Sequence, residues 1–461
     1  MSSTNFSSLG LNKGLIDNLA TLNYTSMTPI QAQALPVILS NKDLIAQAKT
    51  GSGKTAAFAL GLLNKLEVKR FRVQTLVLCP TRELADQVAN EIRRLARGIH
   101  NIKVLTLCGG MPFGPQVGSL EHGAHIIVGT PGRVEEHVRK GNLKLQHVST
   151  LVLDEADRML DMGFQDALDM IISDTPNQRQ SLLFSATYPK QIEAIALRYL
   201  DNPEMVKIAE THNQNTITQQ VYKVDGDNAR IDVARLILHD QQPQSCLVFC
   251  NTKRETQEVA DQLSGFGFKA LALHGDLEQR DRDQTLVQFA NYSATVLVAT
   301  DVAARGLDIE SLDLVINYQI ARELEVHTHR VGRTGRAGAK GLACSLYSEK
   351  EEHKLGLLED YLGYQLPKTQ LPNKSVLRNP TPMPPMVTLQ IGGGKKQKLR
   401  PGDIVGALTG ENGIPGNQIG KIQVGDQWAY VAVALEHRKL ALNKLSQGKM
   451  KGRSFKVRRL G

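Results

Sequence analysis

The chain has 461 residues, 41% apolar and 22% charged, with 39 glycines and 18 prolines; it is too long for one small binding module, and its composition excludes collagen-like, low-complexity and wholly disordered chains. The formal net charge is +9, yet residues 387–461 alone hold 14 Lys and Arg against 4 Asp and Glu, so the basic excess is a local footprint for a polyanion, nucleic acid above all. No uncharged apolar run approaches the ~18 residues of a membrane span, and the first residues lack a basic end followed by an apolar stretch, so a cytoplasmic protein with no membrane partner is expected.

From about residue 20 to 210, short runs rich in Val, Ile and Leu (DLIAQ, TLVLCP, KVLTLCGG, HIIVGTPGR, TLVLDEAD, SLLFSAT) alternate with helical patterns such as TAAFALGLLNKL and ELADQVANEIRRLAR. That alternation predicts an α/β domain, residues 1–210, built on a parallel sheet. Nearly continuous apolar runs suit strands buried on both faces, and each is followed by a polar or Gly/Pro turn. Open sheets of this class bind ligands at the carboxyl ends of their strands, so the residues in those turns are the functional candidates. The same pattern restarts with SCLVFCNT, KALALHGD, TVLVATD, LDLVINYQ and GLACSLYS, predicting a second such domain over 218–365. Residues 366–386, rich in Pro and Asn, predict an extended linker.

The tail, 387–461, then reads as a separable unit. VTLQI predicts a strand, GDIVGALTG a helix, KIQV and WAYVAVAL two strands, EHRKLALNKL a helix and SFKVRRL a last strand. The order βαββαβ predicts a small α+β domain with helices on one face of an antiparallel sheet, as in many RNA-binding modules. The five cysteines, at 79, 108, 246, 250 and 344, have no CxxC spacing and are expected as buried thiols, neither disulfides nor zinc ligands.

The most specific motif is AKTGSGKT: Ala48, Lys49, Thr50, Gly51, Ser52, Gly53, Lys54 and Thr55. It lies between a strand run and a helix, where a phosphate-binding loop is placed, and departs from GxxxxGK[ST] only by Ala48. Glycines permit the tight turn that aims backbone N–H groups at phosphate oxygens, Lys54 brings positive charge to the β and γ phosphates, and Thr55 offers a hydroxyl to Mg²⁺. About a hundred residues on, Asp154 and Glu155 end another buried run. Asp154 suits Mg²⁺, and Glu155 suits the water that attacks the γ phosphate of ATP.

Taken together, AKTGSGKT, PTREL (Pro80–Leu84), TPGR (Thr130–Arg133), DEAD (Asp154–Asp157) and SAT (Ser185–Thr187), in that order, resemble the DEAD-box RNA helicases. The resemblance implies two RecA-like domains in tandem and an RNA-dependent ATPase using ATP and Mg²⁺. It further implies that Phe6, Tyr24 and Gln31 form an adenine-reading Q motif, and that Pro80, Thr81, Arg82, Gly109, Gly110, Thr130, Pro131, Gly132 and Arg133 line an RNA track by contacts to phosphate and ribose. In the second domain, ATDVAARGLDI and HRVGRTGR resemble the family's nucleotide-facing segments. Arg333 and Arg336 are thereby assigned to the γ phosphate, and Asp308 to ribose, with a helix cap as its alternative. Closure of a two-domain cleft by ATP and RNA, opening of a short duplex and reset by hydrolysis are what the family implies; an ATP-gated RNA clamp that separates no strands stays open as an alternative.

In the tail, Lys395, Lys396, Lys398, Arg453, Lys456, Arg458 and Arg459 are candidates for RNA phosphate contacts. Trp428 and Tyr430, two apart on an expected strand, would face the same side. That pair resembles the aromatics of an RRM sheet, but Gln390 occupies the position of the other stacking residue, and core packing is an equal reading for Trp428. GGGKKQKLRPGDIVGALTG and IGKI resemble the tail of a bacterial branch of the family. What this implies is recognition of a 23S ribosomal RNA hairpin and a role in large (50S) ribosomal subunit assembly, performed by a monomer.

Overall fold

Each apolar run of the first domain forms a strand in the computed structural model, which describes residues 5–48, 51–188, 190–208, 217–304, 312–335 and 340–461. The chain divides into two compact units near residue 212. The first holds β1 (Leu44–Gln47), β2 (Thr75–Leu78), β3 (Val104–Leu107), β4 (Ile126–Gly129), β5 (Thr150–Asp154), β6 (Gln180–Ser185) and β7 (Glu204–Lys207). Among the described residues they make one sheet of order β3-β4-β2-β5-β6-β1-β7, every pair parallel. β2, β4, β5 and β6 are buried along their whole length, with helices covering a core on each face. Burying each Leu, Ile or Val fully contributes about 1.5–3 kcal/mol, which outweighs the modest intrinsic preference of four- or five-residue strands.

In the second unit, β8 (Ile217–Val224), β9 (Cys246–Cys250), β10 (Ala270–Leu273), β11 (Val296–Thr300), β12 (Leu314–Asn317) and β13 (Gly341–Ser348) pair in parallel in the order β10-β11-β9-β12-β13-β8. The tail adds β14 (Met386–Ile391), β15 (Ile419–Val424), β16 (Ala429–Ala434) and β17 (Val457–Arg459), an antiparallel sheet of order β15-β16-β14-β17. The helices Pro401–Thr409 and Arg438–Gln447 supply Ile404, Leu408, Ala441 and Leu445 to the core beneath it. All five cysteines are buried and free, and burial raises each thiol, Cys108 and Cys344 to about 12. No helix among the described residues is long and apolar enough to cross a membrane.

Both the linker segment and the tail make contacts with the second parallel-sheet domain. The segment after residue 365 makes contacts with β8: Val221 N donates to the Pro367 carbonyl and Thr369 N to that of Val221, each at 2.9 Å, so the chain forms a single parallel bridge, Val221 to Lys368, on the edge of β8. Leu366 is buried, and Gln242 Nε2 donates to the Pro380 carbonyl at 3.0 Å. The small sheet, in turn, sits on the second parallel-sheet domain. Thr388, fully buried on the outer face of β14, accepts from Asn291 Nδ2 at 3.1 Å and shares a 2.7 Å hydrogen bond with Ser293 Oγ. The reason is satisfaction of polar groups: an edge strand and a strand hydroxyl each find partners that water would otherwise supply.

Candidate nucleotide and RNA sites

In the first unit the loop after β1 turns through Gly51 (φ 79°) and Gly53 (φ 94°) and starts the helix Lys54–Lys65, which aims its free N–H groups and positive dipole end at the loop. A Cβ on Gly53 would lie 2.5 Å from Gln31 Nε2, so glycine is required for space as well as for φ. Lys54 is buried and donates to the Ala48 carbonyl. Burial pulls its ammonium below the ordinary range, while Asp154, Glu155 and Asp157 push it back up. Among the described residues the buried Ser52 hydroxyl has no hydrogen-bond partner, as suits a loop built to meet an anion. Lys49 and Thr50 lie outside the described residues.

β5 delivers Asp154, and the chain then turns through Glu155 at φ 52°, a left-handed conformation that ordinarily favours Gly or Asn and is held here by its partners. Glu155 and Arg158 form a buried ion pair at 2.7 Å. Asp157 accepts from Thr187 N at 3.1 Å and Thr187 Oγ1 at 2.8 Å, which ties DEAD to SAT; burial acts to raise Asp157, but Arg158 and Thr187 overcome it and hold the carboxyl low. Asp154 is pushed up to about 7, first by burial and then by Glu155. A buried carboxyl with Glu155 and Asp157 as negative neighbours is a hard-oxygen environment that fits Mg²⁺.

Gln31 sits at the start of the helix Pro29–Leu39, where its Oε1 accepts from Thr28 N at 2.9 Å and its Nε2 donates to the Gly53 carbonyl at 3.1 Å. Phe6 is buried, its ring edge-on to Tyr24 with centroids 6.2 Å apart. The Tyr24 hydroxyl donates to Glu91 at 2.7 Å and accepts from Arg94 at 2.8 Å; burial and Glu91 raise it to about 12. Phe6 and Tyr24 are thus joined to the helix Arg82–Leu95, and Gln31 to the glycine loop.

PTREL and TPGR lie at the carboxyl ends of the adjacent strands β2 and β4. Thr81 caps the helix that begins at Arg82, and Arg82 reaches Asp86 at 3.8 Å. Pro131 opens the helix Pro131–Arg139, Gly132 is exposed, and the Thr130 hydroxyl accepts from Gly109 N at 3.4 Å; Gly110 takes φ 73°. Arg133 points inward: it donates to the Met111 carbonyl at 2.9 Å and to Gln116 at 3.0 Å and pairs with Glu136 at 3.2 Å.

In the second unit, Arg333 is 5% exposed; Asp308 and Arg336 lie outside the described residues. Charge crowding in HRVGRTGR is relieved at Arg330, which grips Asp301 through two hydrogen bonds of 2.6 and 2.7 Å and also donates to Asn251 at 2.7 Å and to the Gln319 carbonyl at 2.9 Å. Neither Asp301 nor Asn251 is marked by any local sequence signal for this role.

In the tail, the expected aromatic pair is divided. Trp428 precedes β16 and is 45% exposed, whereas Tyr430 is half-buried, with Asp283 and Arg280 nearby. Tyr430 lies opposite Gln390, which accepts from Arg458 Nε at 2.7 Å. Lys395 N and Lys396 N bond to the Gly425 and Asp426 carbonyls at 2.8 and 3.0 Å, and Gly392 N to that of Lys456 at 2.8 Å. Those bonds gather the exposed Lys395, Lys396, Lys398 and Lys456, with Trp428, at one end of the small sheet. Arg453 and Arg459 are exposed as well.

Three family models match the chain: DEAD/DEAH box helicase over residues 28–195, helicase conserved C-terminal domain over 229–338, and DbpA RNA binding domain over 388–459. The chain is 54% identical over 460 residues to the ATP-dependent RNA helicase DbpA of Escherichia coli strain K12, covering 99% of this chain and 100% of that one. It is 35% identical over 475 residues to that of Bacillus subtilis strain 168, covering 98% and 99%. Among solved structures, Saccharomyces cerevisiae Dbp5 bound to RNA and ADP BeF3 matches 80% of this chain and 96% of its own at 30% identity, with TM-score 0.72.

Proposed function

The chain belongs to the DEAD-box ATP-dependent RNA helicases and ends in a DbpA RNA-binding domain, and from that premise we propose that the tail directs the enzyme to a hairpin of 23S ribosomal RNA during assembly of the large ribosomal subunit. The observation that carries this reading is the convergence of Lys395, Lys396, Lys398, Lys456 and Trp428 at one end of the small sheet. Cations there neutralise phosphates, and an exposed indole offers a stacking face to an unpaired base. The opposite course, stacking on the sheet face, is disfavoured by the half-burial of Tyr430 and by the burial of Gln390.

In the proposed chemistry, backbone N–H groups around Gly51 and Gly53 cradle the phosphates of ATP, and Lys54 neutralises them. Thr55 and Asp154 would hold Mg²⁺, which when bound supplies charge neutralisation to the phosphates. Glu155, oriented by Arg158, takes the proton of the attacking water, while Arg333 and Arg336 stabilise charge on the transferred phosphoryl group. Gln31 reads the adenine edge, an amide donating and accepting at once. The test is the ATPase rate of the full chain over fragments of ribosomal RNA. The fragment containing the recognised hairpin is expected to half-saturate the rate at a far lower concentration than other RNA; equal half-saturation by all fragments would refute the targeting.

A further inference from the structure

The helix Phe113–Glu121 places Phe113 and Gln116 three residues apart, hence on one face, and the helix Pro131–Arg139 does the same for Arg133 and His137 four apart. The faces meet around the buried carboxamide of Gln116. Its Nε2 donates to the Cys108 carbonyl at 3.1 Å, while Oε1 accepts from Arg133 Nη1 at 3.0 Å and from His137 Nε2 at 2.9 Å. Chemistry fixes that orientation, since exchanging the amide ends would set an NH₂ against a guanidinium. The same Arg133 nitrogen also donates to the Met111 carbonyl. Phe113 stacks on His137, centroids 4.3 Å apart and planes 8° from parallel, and the Arg133 guanidinium and Lys140 ammonium lie over its ring at 5.5 and 4.1 Å.

One side chain therefore holds both ends of the 108–111 loop, directly at Cys108 and through Arg133 at Met111, and pins that loop to the TPGR helix. Arg133 is only 12% exposed and its charge is answered by Glu136. A cation turned inward and paired in this way is poorly placed to meet a phosphate, but well placed to shape the backbone that does.

We infer that Gln116 is a positioning residue for RNA: its carboxamide, with Arg133 turned inward beside it, holds Gly109, Gly110 and the TPGR turn as a single contact surface. The inference rests on the reading that this loop faces RNA, and the two are separable by experiment. Binding of a short unstructured RNA strand to the full chain is measured against salt concentration for the native protein, Gln116→Met, Arg133→Met and Gly109→Asp, with the melting temperature and the KM for ATP recorded alongside. Gly109 has open space where a side chain would be added, so its carboxylate tests only whether the loop meets RNA.

Gln116→Met is expected to weaken RNA binding about tenfold through groups left unpaired behind the loop, with KM for ATP unchanged. Its slope of log affinity against log salt is expected to equal that of the native protein, and so is that of Arg133→Met, because a lost phosphate contact would reduce the slope by about 0.7. Gly109→Asp is expected to weaken binding. If Gly109→Asp weakens binding and Gln116→Met does not, the loop faces RNA but the positioning role is wrong. A reduced slope in Arg133→Met makes that arginine a phosphate ligand and overturns the assignment. Native binding by Gly109→Asp removes the reading of the loop, and the inference with it.

Discussion

The side-chain amide of Gln31 donates to the main-chain carbonyl of Gly53 at 3.1 Å. This bond makes the glycine loop and the helix Pro29–Leu39 one piece, so a change at either is felt at both. Gln31→Ala removes that donor and the acceptor for Thr28 N, at about 1 kcal/mol each. A roughly tenfold weaker affinity for a fluorescent ATP analogue is expected, with tail-directed RNA binding retained. Gly53→Ala, which meets Gln31 and a left-handed φ together, should be the more damaging change in the same titration.

Arg330 and Asp301 form a charged pair inside the second parallel-sheet domain, joined at 2.6 and 2.7 Å with the arginine fully buried. Removing only Asp301, as in Asp301→Ala, leaves a buried guanidinium without its anion and is expected to cost about 3–5 kcal/mol in urea unfolding. The double variant Asp301→Ala, Arg330→Met should recover a large part of that loss. A single variant as stable as the native chain would show the pair to be incidental.

His327 is buried, its Nε2 3.0 Å from Gln219 Oε1, and burial, then Arg330, lowers its pKa to about 4. In an unfolded chain the imidazole takes its proton near ~6.5. The stability it contributes is therefore complete above about 6.5 and is lost as pH falls toward about 4, at up to about 1.4 kcal/mol per pH unit. The opening free energy of the helix Leu324–Val331, read from hydrogen-exchange protection factors corrected for the intrinsic pH dependence of exchange, should fall between pH 7 and 5 in the native chain. His327→Asn, which keeps a donor for Gln219, should flatten that dependence.

Trp428 is exposed while Tyr430 is half-buried, so their substitutions should part company. Trp428→Ala is expected to weaken hairpin binding by about 1–3 kcal/mol with the melting temperature unchanged. Tyr430→Ala should lower the melting temperature, because it opens a space against the second domain.

Strands β1–β6 and β9–β13 and the parallel class of their sheets are legible because each depends on a local signal, a continuous apolar run followed by a polar or Gly/Pro turn, whereas β7 (EMVK) and β8 (ITQQVYKV) carry no such run. The partners that hold the site are not legible. Nothing near Asp301 or Asn251 announces that Arg330 needs them, and nothing near Gln116 indicates that it joins residues 108, 133 and 137; such pairings arise only when strands far apart in sequence become neighbours. The contacts of Pro367 and Thr369 with Val221 are not legible in the Pro-rich segment, because its composition carries no trace of the β8 edge it meets. Trp428 lies one residue before β16, which begins at Ala429, and is exposed where Tyr430 is half-buried, a difference that alternation along a strand does not carry.

The most direct test of the whole account is ATP-driven displacement of a short RNA strand from a duplex joined to the 23S hairpin, set beside the same duplex without the hairpin. Full-length protein with ATP is expected to release the strand from the first substrate at protein concentrations that leave the second paired, and Lys396→Glu together with Lys456→Glu should abolish that difference. Equal release from both substrates would contradict targeting by the tail, and ATP hydrolysis with no strand released from either would instead favour an ATP-gated clamp.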